Sequence, residues 1–282
     1  MTEAEFDAAD VRAYYDRHTG DFVTHGQGGA EGALHRAVWA PGIETPAAAF
    51  HYVEDRIAAH LPSTGDATPL RRILDLGCGV GGSLCYLARR LPVTGVGITV
   101  SPVQVDHARQ RIAAAGLIDR IRCVEADYAA PPDLPPADLA YAIESFAHAP
   151  DPAAFFAACA RLVAPGGTLV ICDDFRRPAA AREAAAAVER FRRGWHLNTL
   201  IDRAELRALA ARAGFAHETT EDLTPHLRLG RPRDRLIAAF VRLAGWLPLD
   251  GTRCGHLLGG DALQTCLARG WIGYDLALFR RR

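Results

Sequence analysis

The stretch "RILDLGCGVGGS", residues 72–83, constrains the fold more than any other part of the chain. Residues 72–76 read as a short buried strand, and glycines at 77, 79, 81 and 82 carry the chain directly into a helical stretch ending near Arg90. So sharp a turn needs backbone that residues with a Cβ adopt poorly, and the same turn lets a ligand approach the new helix's N-terminus. From here the pattern alternates. "VTGVGIT" (93–99), "IRCVEA" (121–126), "ADLAYAI" (137–143) and "GGTLVICDD" (166–174) read as strands. "SPVQVDHARQRIAAAG" (101–116) and "DPAAFFAACARLV" (151–163) read as the helices between them. Ser101 and Asp151 stand as N-caps before Pro102 and Pro152, and Gln104 is placed to complete a capping box with Ser101. "AELRALAARAGF" (204–215) is a further helix, and "HETTEDL" and "IGYDLALFR" read as a last, antiparallel strand pair. The alternation predicts a doubly wound α/β sheet with its strand carboxyl ends on one ligand-binding edge.

At 282 residues, one elaborated domain is the expectation. Residues 1–66 read as an N-terminal helical cap segment, and 67–282 as the core, with cap insertions around 176–200 and 224–260. A net charge of -1 gives no reason to expect nucleic acid or an anionic membrane as partner. All 32 basic residues are arginine, which with abundant alanine points to a GC-rich bacterial genome. Seven cysteines form no CxxC pair, which suits reduced thiols. The first ten residues lack the apolar core of a signal peptide, and no apolar run reaches the ~18 residues that span a bilayer. These features predict a soluble cytoplasmic protein without membrane insertion.

The glycine loop alone also fits a dinucleotide-binding fold, but that needs an acid ending the second strand, where "GVGITVSP" has none. "ILDLGCGVGGS" instead resembles the first motif of class I S-adenosylmethionine-dependent methyltransferases. "GVGITVSPVQ", "VEADYAAPP", "YAIESFAHAPD" and "LVAPGGTLVICDD" follow in that family's order and spacing. The resemblance implies a Rossmann-like, seven-stranded sheet with a helical cap, and S-adenosylmethionine as cofactor. It implies that Gly77, Cys78 and Gly79 pass under the cofactor's methionine and sugar, and that Asp75 orients the loop. "GITVSPVQ" is similar to the branch of cyclopropane-fatty-acid synthases and sterol and prenyl-diphosphate C-methyltransferases, which implies ribose contacts from Thr99 and Gln104. Capping alone is the other reading of Gln104. Asp127 would accept from the adenine amino group with Tyr128 beside the ring, and Tyr14 or Tyr15 in "YYDRHTGDF" would close over the cofactor.

"YAIESFAHAP" (141–150) sets Glu144 and His148 at the carboxyl end of the fourth strand. It resembles the sterol and geranyl-diphosphate C-methyltransferase stretches, in which a glutamate faces a developing cation. Similar glutamate-serine and histidine pairs occur in natural-product O-methyltransferases, where histidine is the base. The first expectation is C-methylation of an isoprenoid alkene or its diphosphate, with Glu144 facing the cation. The alternative is O-methylation of a hydroxyl with His148 as general base, and a third class is a non-catalytic cofactor-binding regulator. Trp39, Trp195, His196, Arg228 and Arg231 are candidate substrate contacts. No grouping has zinc spacing; magnesium enters only with a diphosphate substrate, at Asp173 and Asp174. The partner is a small molecule, and a homodimer is compatible with the sequence.

Overall fold

The computed structural model describes residues 6–25, 32, 34–61, 71–178, 182–244 and 255–282. Its strands are β1 (Arg71–Leu76), β2 (Val93–Thr99), β3 (Ile121–Glu125), β4 (Ala137–Ile143), β5 (Val163–Arg176), β6 (Phe215–Asp222) and β7 (Ile272–Arg281). They form one seven-stranded sheet in the order β3-β2-β1-β4-β5-β7-β6. The strands from β1 to β5 pair in parallel, whereas β7 runs antiparallel to both β5 and β6. The chain therefore reverses its winding at β1 and β4, whose carboxyl ends diverge into a crevice.

The helices are α1 (Ala8–His25), α2 (Pro46–Phe50), α3 (Tyr52–Ala58), α4 (Gly82–Arg90), α5 (Pro102–Ala114), α6 (Pro152–Leu162), α7 (Arg182–Gly194), α8 (Arg203–Arg212), α9 (Pro232–Ala244) and α10 (Gly255–Ala268). Helices α3, α4 and α5 cover one face of the sheet around Ile57, Leu84, Ala108 and Leu139. Helices α6 and α8 cover the other, where Phe146, Phe155, Phe156 and Phe279 interlock edge to face. A third cluster joins α7 to α10 through Phe191, Leu263 and Cys266. Removing these apolar surfaces from water is what fixes the layers.

Two expectations about the cap are corrected. Val38, Val53 and Ile57 are fully buried in the cluster under α4, so Val38 and α3 pack into the core layer although they lie within the segment 1–66 read as a cap. The later insertion reaches past residue 260, because α10 continues to Ala268 against α7. "VAPGG" also belongs to β5, which begins at Val163, where α6 runs into it without a loop.

Candidate active site

The crevice above β1, β2 and β4 deepens into a cavity of about 370 Å³. It is roofed by Val11, Tyr14 and Tyr15 of α1, with Trp195, Leu197 and Leu263 closing the far side. Its floor is the glycine loop. The N–H groups of Gly77 and Cys78 both donate to the carbonyl of Ile98, at 2.9 and 2.8 Å, folding the loop against β2. Gly77 has φ +97, and a Cβ there would stand 2.4 Å from that of Ser145, so only glycine fits. Asp75 lies beneath the loop, where burial pushes its carboxyl up to about 7.

Beside the loop, Ser101 caps α5 by accepting from the Gln104 amide at 3.1 Å, as the sequence predicts. The Gln104 side chain does not complete a capping box. Its Oε1 accepts from the Thr99 hydroxyl at 2.7 Å, and its buried Nε2 has no partner. An unmatched buried donor is costly unless a ligand satisfies it. The arrangement therefore fits a hydroxyl-bearing group such as ribose. Asp127 also borders the cavity, with Oδ1 fixed by the Ala129 amide at 2.8 Å. Tyr128 donates to the Ser145 carbonyl at 2.9 Å, which stands its ring against the cavity wall. Glycines that forbid a Cβ, an orphaned amide and an acid at the third strand end thus suit S-adenosylmethionine.

At the end of β4 the two candidate catalytic groups behave differently. Glu144 adopts the left-handed region at φ +50, and its N–H donates to the Cys172 carbonyl. Its Oε1 accepts from the Arg36 amide at 2.8 Å and from Arg36 Nε at 3.0 Å. The remaining guanidinium nitrogens grip Asp174 at 2.9 and 2.7 Å, with the guanidinium 4.1 Å above the Tyr274 ring. Burial opposes ionisation of Glu144, but the charges of Arg36 and His35 outweigh it and hold its carboxyl below the ordinary range. Glu144 is thus ionised and already paired. Each oxygen of Asp174 accepts one of these bonds, so in this arrangement the carboxylate is engaged by Arg36.

His148 is neutral. Its Nδ1 lies 3.1 Å from the His196 carbonyl, which can only accept, so Nδ1 carries the proton and Nε2 the lone pair. The Tyr15 hydroxyl meets that lone pair at 2.8 Å. Burial lowers the imidazole's pKa to about 4, outweighing the hydrogen bond to His196. The Asn198 carboxamide donates to the carbonyls of His148 and Phe6 and accepts the Phe6 amide, tying the residues just before α1 to His148.

Of the predicted residues, Asp75, Gly77, Cys78, Gly79, Thr99, Gln104, Asp127, Tyr128, Tyr14, Tyr15, Glu144, His148, Trp195 and Arg231 border this one cavity. Trp39 and Arg228 do not. They stack on each other, guanidinium 3.3 Å from the ring centroid. The His196 ring packs between Phe6 and Tyr14, and it is its carbonyl, with the residue at φ +54, that reaches His148 Nδ1. Arg36 and Asn198 carry no motif, and sequence reasoning missed both. So did the buried Glu54, which accepts from His35 at 2.9 Å and from Ser83 at 2.8 Å beneath the cavity wall.

Residues 47–220 match the methyltransferase domain family. Methyltransferase GfsG of Streptomyces halstedii is 38% identical over 49% of this chain, and the alignment spans 50% of that protein. The 27-O-demethylrifamycin SV methyltransferase of Amycolatopsis mediterranei is 33% identical over 69% of this chain and 71% of its own length. Geranyl diphosphate C-methyltransferase from Streptomyces coelicolor shares the fold at a TM-score of 0.73 and 19% identity, over 98% of this chain and 97% of that one. The matched domain, the strand order and the cavity floor agree, and the chain belongs to the class I S-adenosylmethionine-dependent methyltransferases.

Proposed function

We propose that this protein transfers a methyl group from S-adenosylmethionine to a hydroxyl oxygen of a small, largely apolar molecule, with His148 as general base. The observation that carries the reading is the contrast between Glu144, already ion-paired with Arg36, and His148, whose Nε2 lone pair faces Tyr15 beside the cavity. A carbocation gains less from a carboxylate that already shares a guanidinium than from an unpaired one. A hydroxyl, in contrast, becomes strongly acidic as its oxygen gains carbon. A neutral imidazole suffices to take that proton even with a low pKa.

When bound, the cofactor supplies an electrophilic methyl on a positively charged sulfur. The chain holds the acceptor in line with it, excludes water under α1, and receives the hydroxyl proton at His148 Nε2. Tyr15 occupies the position from which a hydroxyl would donate to that atom, so it either yields the place or relays the proton. The His196 carbonyl keeps Nδ1 protonated and so keeps the lone pair on the working nitrogen. Among the relatives, the rifamycin enzyme's name also states a methylated oxygen.

C-methylation of an isoprenoid is the second reading, favoured by Arg231 and Arg233 at the cavity rim, where a diphosphate would suit them. Turnover of a panel of apolar alcohols, phenols and prenyl diphosphates, with NMR to locate the new methyl, tests both. O-methylation predicts that His148→Ala lowers kcat by roughly 10²–10⁴-fold, while Glu144→Gln acts mainly through stability. A methyl found on carbon, or a larger kcat loss in Glu144→Gln, overturns it. Cofactor binding without turnover of any acceptor would favour the regulator class.

A further inference from the structure

Helix α9 forms part of the cavity wall with one face and offers solvent a surface unlike the rest of the molecule with the other. Asp234 and Ile237 line the cavity. Arg233, Arg235, Leu236 and Phe240 are exposed, Leu236 at 73% and Phe240 at 46% of full accessibility. Leu236 and Phe240 lie one helical turn apart, so their side chains are neighbours. Among the described residues only Val103, Ile118, Leu236 and Phe240 are exposed large hydrophobics, and a pair of them beside a cavity mouth marks a contact surface. The charge around them is equally one-sided. Arg233 and Arg235 are exposed on the helix, while its acid Asp234 is paired with Arg231 at 3.2 Å and Arg228 lies over Trp39, in a chain whose formal net charge is -1. The near-neutral total therefore conceals a local basic patch, which the whole-chain charge had given no reason to expect.

We infer that α9 is an interfacial helix that seats the mouth of the cavity on an anionic lipid surface. Arginines flanking Leu and Phe on a short helix are what such a surface selects, because guanidinium groups meet phosphates while the apolar pair enters the acyl boundary. A second copy is a poorer occupant, because a two-fold contact through this face would set arginine against arginine. At 13 residues the helix is too short to span a bilayer, so it lies on the surface. The inference rests on α9 alone and stands whichever acceptor is methylated.

Cosedimentation of the full chain with vesicles decides it, comparing phosphatidylcholine alone with phosphatidylcholine containing phosphatidylglycerol. The expected result is binding only to the anionic vesicles, weakened by salt. Binding should fall about tenfold or more in Leu236→Asp/Phe240→Asp and less in Arg235→Gln, each replaced residue adding little once removed from the surface. Calorimetric affinity for S-adenosylhomocysteine and the melting temperature should stay at wild-type values in both. If the double variant proves misfolded, the single changes Leu236→Gln and Phe240→Gln carry the same expectation. Wild-type binding indifferent to phosphatidylglycerol overturns the inference, as does undiminished binding in folded variants. A change of molar mass by light scattering in the variants, without loss of vesicle binding, would assign the face to contact between copies instead.

Discussion

Replacing Arg36 with methionine tests how the charged part of the cavity is built. The Arg36 guanidinium donates to Glu144 at 3.0 Å and to both oxygens of Asp174 at 2.9 and 2.7 Å. Its side chain is 20% exposed, and that of Asp174 is 3% exposed. Methionine keeps much of the stem's packing and deletes the charge, leaving two carboxylates without their counter-ion. Breaking a buried pair in this way costs ~3–5 kcal/mol, and the guanidinium's opening to the cavity brings the figure to about 3 kcal/mol. For a chain of this size that is a fall of roughly 6–12 °C in melting temperature.

The loss should depend on pH. In the wild type, burial opposes ionisation of Glu144, yet Arg36 and His35 hold its pKa below the ordinary 4.5. That stabilisation is complete above 4.5 and is lost as pH falls through the depressed value. Without Arg36, burial governs, the folded pKa rises above 4.5, and stability declines as pH rises through it. The gap between variant and wild type should therefore widen from acid toward pH 8, as thermal scans across that range would record. Adding Glu144→Gln should recover part of the loss, with a coupling of about 1 kcal/mol or more. A gap under about 2 °C at pH 8, or one of equal size at pH 5, refutes the argument.

Gln104→Ala should weaken S-adenosylhomocysteine binding roughly tenfold by calorimetry, the worth of one useful hydrogen bond, while Ser101 still caps α5 and the melting temperature holds. Gly77→Ala should cost roughly 2 kcal/mol or more in denaturant unfolding, because the new Cβ would stand 2.4 Å from that of Ser145. Asn198→Ala should lower kcat about tenfold with a smaller change in acceptor KM, as expected when a group that only positions the base is removed; Asn198→Asp, lacking the donor, should not rescue it. Because burial holds His148 near 4, on the proposed reading the acid limb of the rate profile should lie well below the ordinary histidine value of 6.5.

The sheet was legible because buried parallel strands are written as short apolar runs punctuated by glycine. "VTGVGIT" and "ADLAYAI" coincide with β2 and β4 residue for residue. The start of β5 was not legible, since "VAPGG" has the composition of a turn yet continues the strand. The same logic governs the site. Thr99 ends β2, and Asp127 and Glu144 follow the ends of β3 and β4, so the parallel winding alone puts all three on the carboxyl edge of the sheet. Arg36 lies outside that rhythm, 108 and 138 positions from the carboxylates it joins, and only the tertiary fold brings them together. The sequence marks His196 as a substrate contact, whereas in the fold its carbonyl, a group every residue carries, meets His148 Nδ1.

On the proposed reading, the electrostatics of the cavity also bear on which acceptors it suits. Two systems stand side by side at the end of β4. In one, Arg36 offsets one of the two negative charges that Glu144 and Asp174 present and engages both carboxylates. In the other, Tyr15, His148 and the His196 carbonyl form a chain with no formal charge. Asp173 lies between them, raised to about 7 by burial and by Asp174, and its Oδ2 accepts the Ala147 amide. A protonated amine would have to leave water for a place whose carboxylates are already engaged, and such a transfer is costly without a fresh counter-charge. A neutral hydroxyl pays little of that penalty, and His148 Nε2 offers it the acceptor it needs. Selection of neutral over cationic acceptors is therefore a consequence of Arg36 as much as of the base, and Arg36→Met should shift the preference toward amines even as it weakens the fold. Competition between an apolar amine and the matching alcohol, scored by product mass, would show it; an unchanged ratio in the variant would mean that Arg36 serves stability alone.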